Sequence, residues 1–173
     1  MSGDGVSPID AGHLVAWGML AAILTVTVYT ELRDNRIPNW VTMPGLMVGF
    51  LAGYLPGGIS LGTSVGGFLI GFGFLFLFYM FGGMGGGDVK LMGAVGALLG
   101  YPLILTVLMF TAFIGGAMAI LALIWSKDFW RRLAGRFRKT DAEDQAKEPE
   151  PVVVPYGIAI VVGSIMTIFL MGR

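Results

Sequence analysis

Apolar residues fall into six runs along the chain, separated by short polar or glycine-rich stretches. The runs lie at about 13–30, 39–55, 61–81, 88–100, 102–125 and 152–171. A helix needs about 20 residues to cross the hydrocarbon core of a bilayer, with about 17 as the lower limit. The first, third, fifth and sixth runs are long enough to span, the second is marginal, and the fourth is short.

The short fourth run begins at Asp88, directly after the glycine-rich stretch 81–87. Irregular backbone is tolerated at membrane depth where it lines a protein cavity, so the fourth run can span if this loop lies below the interface. We therefore predict an all-α integral membrane protein, a bundle of six transmembrane helices with a glycine-rich loop before the fourth. In this division, 1–125 holds helices one to five, 126–151 forms a cytoplasmic interfacial helix and an acidic linker, and 152–173 holds the last helix.

Glycines recur at four-residue spacing within the apolar runs. Examples are Gly67 and Gly71 in the third run, and Gly96 and Gly100 at the end of the fourth. Small residues at this spacing let helices approach closely in lipid. We interpret these glycines as packing contacts.

The composition agrees with a membrane protein. Hydrophobic residues make up 55% of the 173 residues and charged residues 13%, about half of the roughly 25% that is typical of soluble domains. The formal net charge is zero, so nothing indicates a nucleic-acid partner. Cysteine is absent and His13 is the one histidine, which excludes a disulfide framework and thiolate or histidine-based metal sites. We expect neither a metal nor a cofactor.

The distribution of basic residues predicts the orientation. If the N-terminus is outside, all but one of the 11 Lys and Arg residues fall in inner segments, and the outer loops between helices carry no charge. The positive-inside rule favours this arrangement. Two spans separate Asp34 from Asp88, so both are expected on the cytoplasmic face. The basic part of 126–151 is expected to contact anionic membrane lipids.

Carboxylates are the remaining candidates for chemistry. The chain has no phosphate-binding loop, no dinucleotide fingerprint and no plausible Ser-His-Asp triad. Of its 11 acids, three lie at the ends of predicted spans: Glu31, Asp34 and Asp88. Two carboxyl groups that share a proton can activate a water and protonate a leaving amine, which is the chemistry of aspartic proteolysis. We predict Asp34 and Asp88 as this pair, with Glu31 as an electrostatic neighbour.

Each acid also has a structural interpretation. Asp34 could be a solvated charge paired with Arg33 or Arg36, and Asp88 could cap the start of its helix. Lys90 is expected to project away from Asp88 and to act as an interfacial anchor. The residues alone do not place Asp34 and Asp88 in contact.

Two motifs in this order resemble the type IV prepilin peptidase family of G-x-G-D membrane aspartic proteases. The first is D-x-x-I-P-N, formed by Asp34, Ile37, Pro38 and Asn39. The second is G-x-G-D, formed by Gly85, Gly87 and Asp88 and followed by Val89, Lys90 and Leu91. The stretch 154–157, V-P-Y-G, is similar to the closing segment of that family. The resemblance covers roughly 30 to 171.

The resemblance implies a bacterial inner-membrane endopeptidase for pilus assembly or secretion. Its substrates would be prepilin or pilin-like precursors, whose basic leader is removed at the cytoplasmic face. Asp34 and Asp88 match the catalytic aspartates of the family. Backbone support of the site is assigned to Gly85, Gly87, Pro38 and Asn39. Longer members carry a cysteine-rich domain and also N-methylate the mature pilin. Since this chain resembles the short form, methyltransferase activity is not expected.

Other classes of function stay open. A small transporter could use the acids as a proton or cation relay, although such a protein normally carries an acid in mid-span. A non-catalytic assembly factor of a secretion machine would keep the helices and tolerate loss of both acids. Among proteases, a preflagellin peptidase or a presenilin-like protease is the alternative.

Overall fold

The structure, a computed structural model, describes residues 11–125 and 155–171. These residues form six α-helices and one short 3-10 helix, and they contain no strand. The α-helices are α1 (Ala11–Asp34), α2 (Asn39–Leu51), α3 (Leu61–Met80), α4 (Gly86–Leu99), α5 (Leu103–Trp125) and α6 (Tyr156–Met171), and the 3-10 helix Ala52–Tyr54 follows α2. The prediction of an all-helical chain is confirmed for this part of it. The interfacial helix and acidic linker predicted at 126–151 lie outside the described residues.

Three of the described helices are long and apolar enough to cross a membrane: α1, α3 and the Leu103–Ala122 part of α5. The other three are shorter than the usual limit of about 17 residues, with 13 residues in α2, 14 in α4 and 16 in α6. Length and composition therefore support three spans. The expectation of six spans stays a prediction.

Helix α4 lies at the centre of the bundle, since it contacts each of the other five α-helices. Eleven of its 14 residues are buried. Apolar and small residues cover all sides of α4 from Leu91 to Leu99, and a helix that is apolar all round is expected in a protein interior. The acid in its first turn, Asp88, is thereby placed at the entrance to the bundle core.

Close packing of α3 against α4 depends on glycine. A Cβ atom at Gly96 would overlap the carbonyl oxygen of Gly67 and lie 2.7 Å from its carbonyl carbon. Next to this contact, the buried Ser64 hydroxyl lies 3.0 Å from the carbonyl oxygen of Gly49 and 2.7 Å from that of Ala97. The interpretation of Gly67 and Gly96 as packing residues is confirmed.

Tight turns bring helix ends together at one end of the bundle. Helix α1 ends at Asp34, and Asn35 then takes a left-handed conformation with φ of 49°. Pro38, with φ of −76°, is the N-cap residue of α2. At the opposite end, the amide of Gly12 donates to the carbonyl oxygen of Pro56.

Candidate active site

An open pocket of about 370 Å³ lies where the end of α1 meets the starts of α4 and α6. Its lining residues are Glu31, Asn35, Arg36, Ile37, Gly85, Gly86, Gly87, Asp88 and Pro155. Two of them are acids, one from the last turn of α1 and one from the first turn of α4. The pocket therefore brings two carboxyl groups together from helices far apart in sequence.

Asp88 lies in the first turn of α4 and is only 8% exposed. Its Oδ2 accepts a 3.2 Å hydrogen bond from the amide of Gly85, the N-cap residue of the helix. A side chain in the first turn commonly satisfies an unpaired amide at a helix start in this way. Asp88 therefore caps the start of its helix, as its structural interpretation predicted, and the same side chain also lines the pocket.

Glu31 lies in the last turn of α1 and is only 6% exposed. Its Oε1 accepts a 3.0 Å hydrogen bond from the amide of Gly157 in α6. Its Oε2 has no hydrogen-bond partner among the described residues, although it is buried.

Asp34 lies elsewhere. It is the last residue of α1, its side chain is 63% exposed, and its Oδ1 is 3.9 Å from Nε of Arg33. Asp34 is not among the residues that line the pocket. The exposed position beside Arg33 matches the structural interpretation of this acid, and its catalytic assignment stays a prediction.

A helical stripe in α1 could have drawn attention to Glu31. The buried residues Leu20, Leu24 and Thr27 are followed by Glu31 at alternating spacings of four and three, which is one face of an α-helix. An acid that continues a buried apolar stripe needs a partner or a function. Position 34 follows Glu31 by three residues and so continues the same face. The spacing therefore does not show which of the two acids is buried.

The two sequence motifs contact each other beside the pocket. A Cβ atom at Gly87 would lie 3.0 Å from Cβ of Ile37 and 3.1 Å from its carbonyl oxygen, so the backbone of α4 passes close to the turn before α2. Nζ of Lys90 donates a 2.8 Å hydrogen bond to Oδ1 of Asn39. The predicted supporting residues Gly85 and Gly87 lie in the pocket wall, whereas Pro38 and Asn39 lie just outside it.

The comparison with family models favours a peptidase among the classes of function considered above. The model of the type IV leader peptidase family matches residues 18–120, more than half of the chain. The chain belongs to the type IV leader peptidase family. The matched region contains both pocket acids and ends before α6. With three helices able to span a bilayer, membership of this family indicates a membrane protein with protease activity. Comparisons with curated proteins and with solved structures found no match.

The pocket end of this leader peptidase family member carries three basic residues beside its three acids, so its formal charges balance. Arg33, Arg36 and Lys90 are the three Lys and Arg residues within the described ranges, and all lie at the pocket end of the bundle. Arg36 lines the pocket itself. Across the same ranges, no group of three or more His, Cys, Asp or Glu residues could hold a metal ion.

Proposed function

We propose that the chain is a membrane endopeptidase of the aspartic type that removes the leader from prepilin or pilin-like precursors, with Glu31 and Asp88 as its acid pair. The observation that supports this most strongly is the shared pocket. Two nearly buried carboxyl groups from α1 and α4 line it together. The family membership supports peptide hydrolysis as the reaction.

Hydrolysis by such a pair follows from its protonation state. Two carboxyl groups in one pocket repel each other when both are ionised, so the pair holds one proton between them. The ionised carboxylate takes a proton from a water, whose oxygen attacks the carbonyl carbon of the scissile peptide bond. The protonated carboxyl group gives its proton to the leaving nitrogen, and the C–N bond breaks. The products are the free leader and the mature protein.

The pocket wall suits an extended peptide. Gly85, Gly86 and Gly87 carry no side chains, so a substrate backbone can lie directly against this stretch. The acids attract the basic leader, and the apolar helix that follows the leader remains in the bilayer beside the bundle. Membrane lipids are the second partner in this proposal, and N-methyltransferase activity is not part of it.

The pocket faces the cytoplasm in this proposal, in a bacterial inner membrane. Every Lys and Arg of the described residues lies at the pocket end, and positively charged segments stay preferentially on the cytoplasmic side. The N-terminus, at the other end of α1, is then outside.

The test replaces each acid by its uncharged analogue. The enzyme is co-expressed with a tagged pilin-like precursor from the same organism, and leader removal is followed by the change in mass. We expect Glu31→Gln and Asp88→Asn each to abolish processing. Asp34→Asn should retain it, because Asp34 is exposed and outside the pocket.

The Asp34→Asn variant also tests the pair predicted from the sequence. If Asp34→Asn abolishes processing and Glu31→Gln retains it, Asp34 is the partner of Asp88 and the Glu31 assignment fails. If Glu31→Gln and Asp88→Asn both process normally as folded proteins, the peptidase proposal itself fails.

The alternatives gain less support. The acids lie at helix ends in an open pocket, and a transporter would normally carry an acid in mid-span. Flux of protons or cations in proteoliposomes without any cleavage would favour the transporter. A preflagellin or presenilin-like protease would share the acid pair, and cleavage of such precursors in place of pilin-like ones would identify it.

A further inference from the structure

We propose that Gly157 is a positioning residue, whose backbone amide orients the Glu31 carboxylate and whose missing side chain leaves room for it. This inference rests on the proposed function, since it assumes that Glu31 is one of the two working acids. It adds α6 to the site, a helix that lies beyond the region matched by the family model.

The first observation is the hydrogen bond between the two helices. Gly157 is the second residue of α6, so its amide has no acceptor within the helix. It donates instead to Oε1 of Glu31 at 3.0 Å, across 126 positions of sequence. A carboxylate at a helix N-terminus also gains from the helix dipole. This bond fixes one oxygen of Glu31 and leaves Oε2 without a partner among the described residues.

The second observation is the lack of space at Gly157. A Cβ atom there would overlap Oε2 of Glu31 and lie 2.9 Å from its Cδ. It would also lie 2.9 Å from Cδ1 of Ile37, which lines the same pocket. Any side chain at this position therefore displaces the carboxyl group that we assign to catalysis.

Together these observations describe a carboxylate held at one oxygen and confined at the other. Without α6, the Glu31 side chain at the end of α1 has several rotatable bonds and could place its carboxyl group in many positions. Contact with α6 selects one position, beside Asp88. Preorganisation of this kind reduces the movement needed when substrate binds.

The test is the variant Gly157→Ala combined with Glu31→Asp. The new methyl group takes the space of the carboxyl group, so kcat for leader removal should fall at least tenfold with KM little changed. Aspartate is one methylene shorter, which withdraws the carboxyl group from that methyl group. The double variant should therefore recover at least threefold over Gly157→Ala, although Glu31→Asp alone reduces activity because its carboxyl group no longer reaches the amide.

Gly163→Ala is the matched control in the same helix. Its Cβ atom would lie 2.7 Å from Oγ1 of Thr111 and 3.2 Å from the carbonyl oxygen of Val107, so it strains the packing of α6 away from the acids. Glu31→Asp should not rescue it. Rates are normalised to folded protein, measured by size exclusion in detergent.

Provided that Glu31→Gln and Asp88→Asn are both inactive, any one of three results would overturn the inference. The first is normal processing by Gly157→Ala, and the second is failure of Glu31→Asp to rescue Gly157→Ala. The third is rescue of Gly163→Ala by Glu31→Asp to the same extent. If Gly157→Ala does not fold, the double variant decides. Its recovery as folded, active enzyme supports the inference, and its failure to recover contradicts it. Normal processing by both acid variants would instead remove the proposed function.

Discussion

Lys90 and Asn39 lie 51 positions apart and are joined by a 2.8 Å hydrogen bond from Nζ to Oδ1. The bond connects the start of α4 to the first residue of α2. It therefore ties the helix that carries Asp88 to the turn that follows α1. The sequence led us to interpret Lys90 as an interfacial anchor. That interpretation missed the hydrogen bond to Asn39, because no sequence pattern connects positions 39 and 90.

Loss of this bond should have a small effect on both stability and catalysis. The contact is exposed, so Lys90→Met should lower the free energy of unfolding by about 1 kcal/mol or less. We expect leader removal to fall about two- to fivefold, which corresponds to about 0.4–1 kcal/mol, because the two motifs lose a fixed spacing. Asn39→Ala should have the same effect. The double variant should be no worse than either single variant, and fully additive losses in activity would contradict the coupling.

Gly86 and Gly87 form a matched pair for testing the pocket wall. A Cβ atom at Gly87 would lie 3.0 Å from Cβ of Ile37. One at Gly86 would lie 3.5 Å from Cε2 and 3.8 Å from Cζ of Tyr79, which are ordinary contacts. We expect Gly87→Ala to reduce leader removal at least tenfold, because it pushes the turn at Ile37 away from Asp88. Gly86→Ala should reduce leader removal less, because its added methyl group comes no closer than 3.5 Å to another part of the protein. Equal losses for the two variants would show that the approach of Ile37 is unimportant.

The helices could be predicted well because apolar runs and breaks in them are local properties. The third run, 61–81, differs by one residue from α3, Leu61–Met80. The second run, 39–55, is longer than α2 because the chain changes to a 3-10 helix at Ala52. Whether all six helices span depends on a bilayer whose thickness is not encoded in the runs.

Part of the candidate site could be predicted from the sequence, because the position of Asp88 depends on local sequence whereas that of Glu31 depends on distant contacts. The G-x-G-D motif predicted an acid at the start of α4, and Asp88 lies there in the pocket wall. The choice between Glu31 and Asp34 depends on where α1 ends and on an amide in α6, 126 positions away from Glu31. No pattern within 31–39 contains that information.

The turn after α1 requires a left-handed backbone conformation at Asn35. Its φ of 49° lies in the left-handed region, which costs most residues about 1–2 kcal/mol and suits glycine and asparagine. We expect Asn35→Gly to keep its stability, and Asn35→Val, with a β-branched side chain, to lose about 1–2 kcal/mol in free energy of unfolding. Thermal unfolding in detergent measures both. The same loss in Asn35→Gly would mean that the amide side chain, and not the backbone conformation, stabilises the turn.

Packing of α3 against α4 should be the most sensitive structural feature of the bundle. A methyl group at Gly96 would overlap the carbonyl oxygen of Gly67, so Gly96→Ala must separate the two helices. Overpacking of this kind costs about 1–3 kcal/mol.

Gly73 in α3 provides the control, because nothing lies within 4 Å of a Cβ atom at that position. Gly73→Ala should be neutral or raise the unfolding temperature, since alanine favours a helix over glycine by about 0.5–1 kcal/mol. Thermal unfolding of both variants in one detergent gives the comparison. Because α4 carries Asp88, Gly96→Ala should also lose leader removal while Gly73→Ala retains it. Similar unfolding temperatures for the two variants would contradict the packing that centres the bundle on α4.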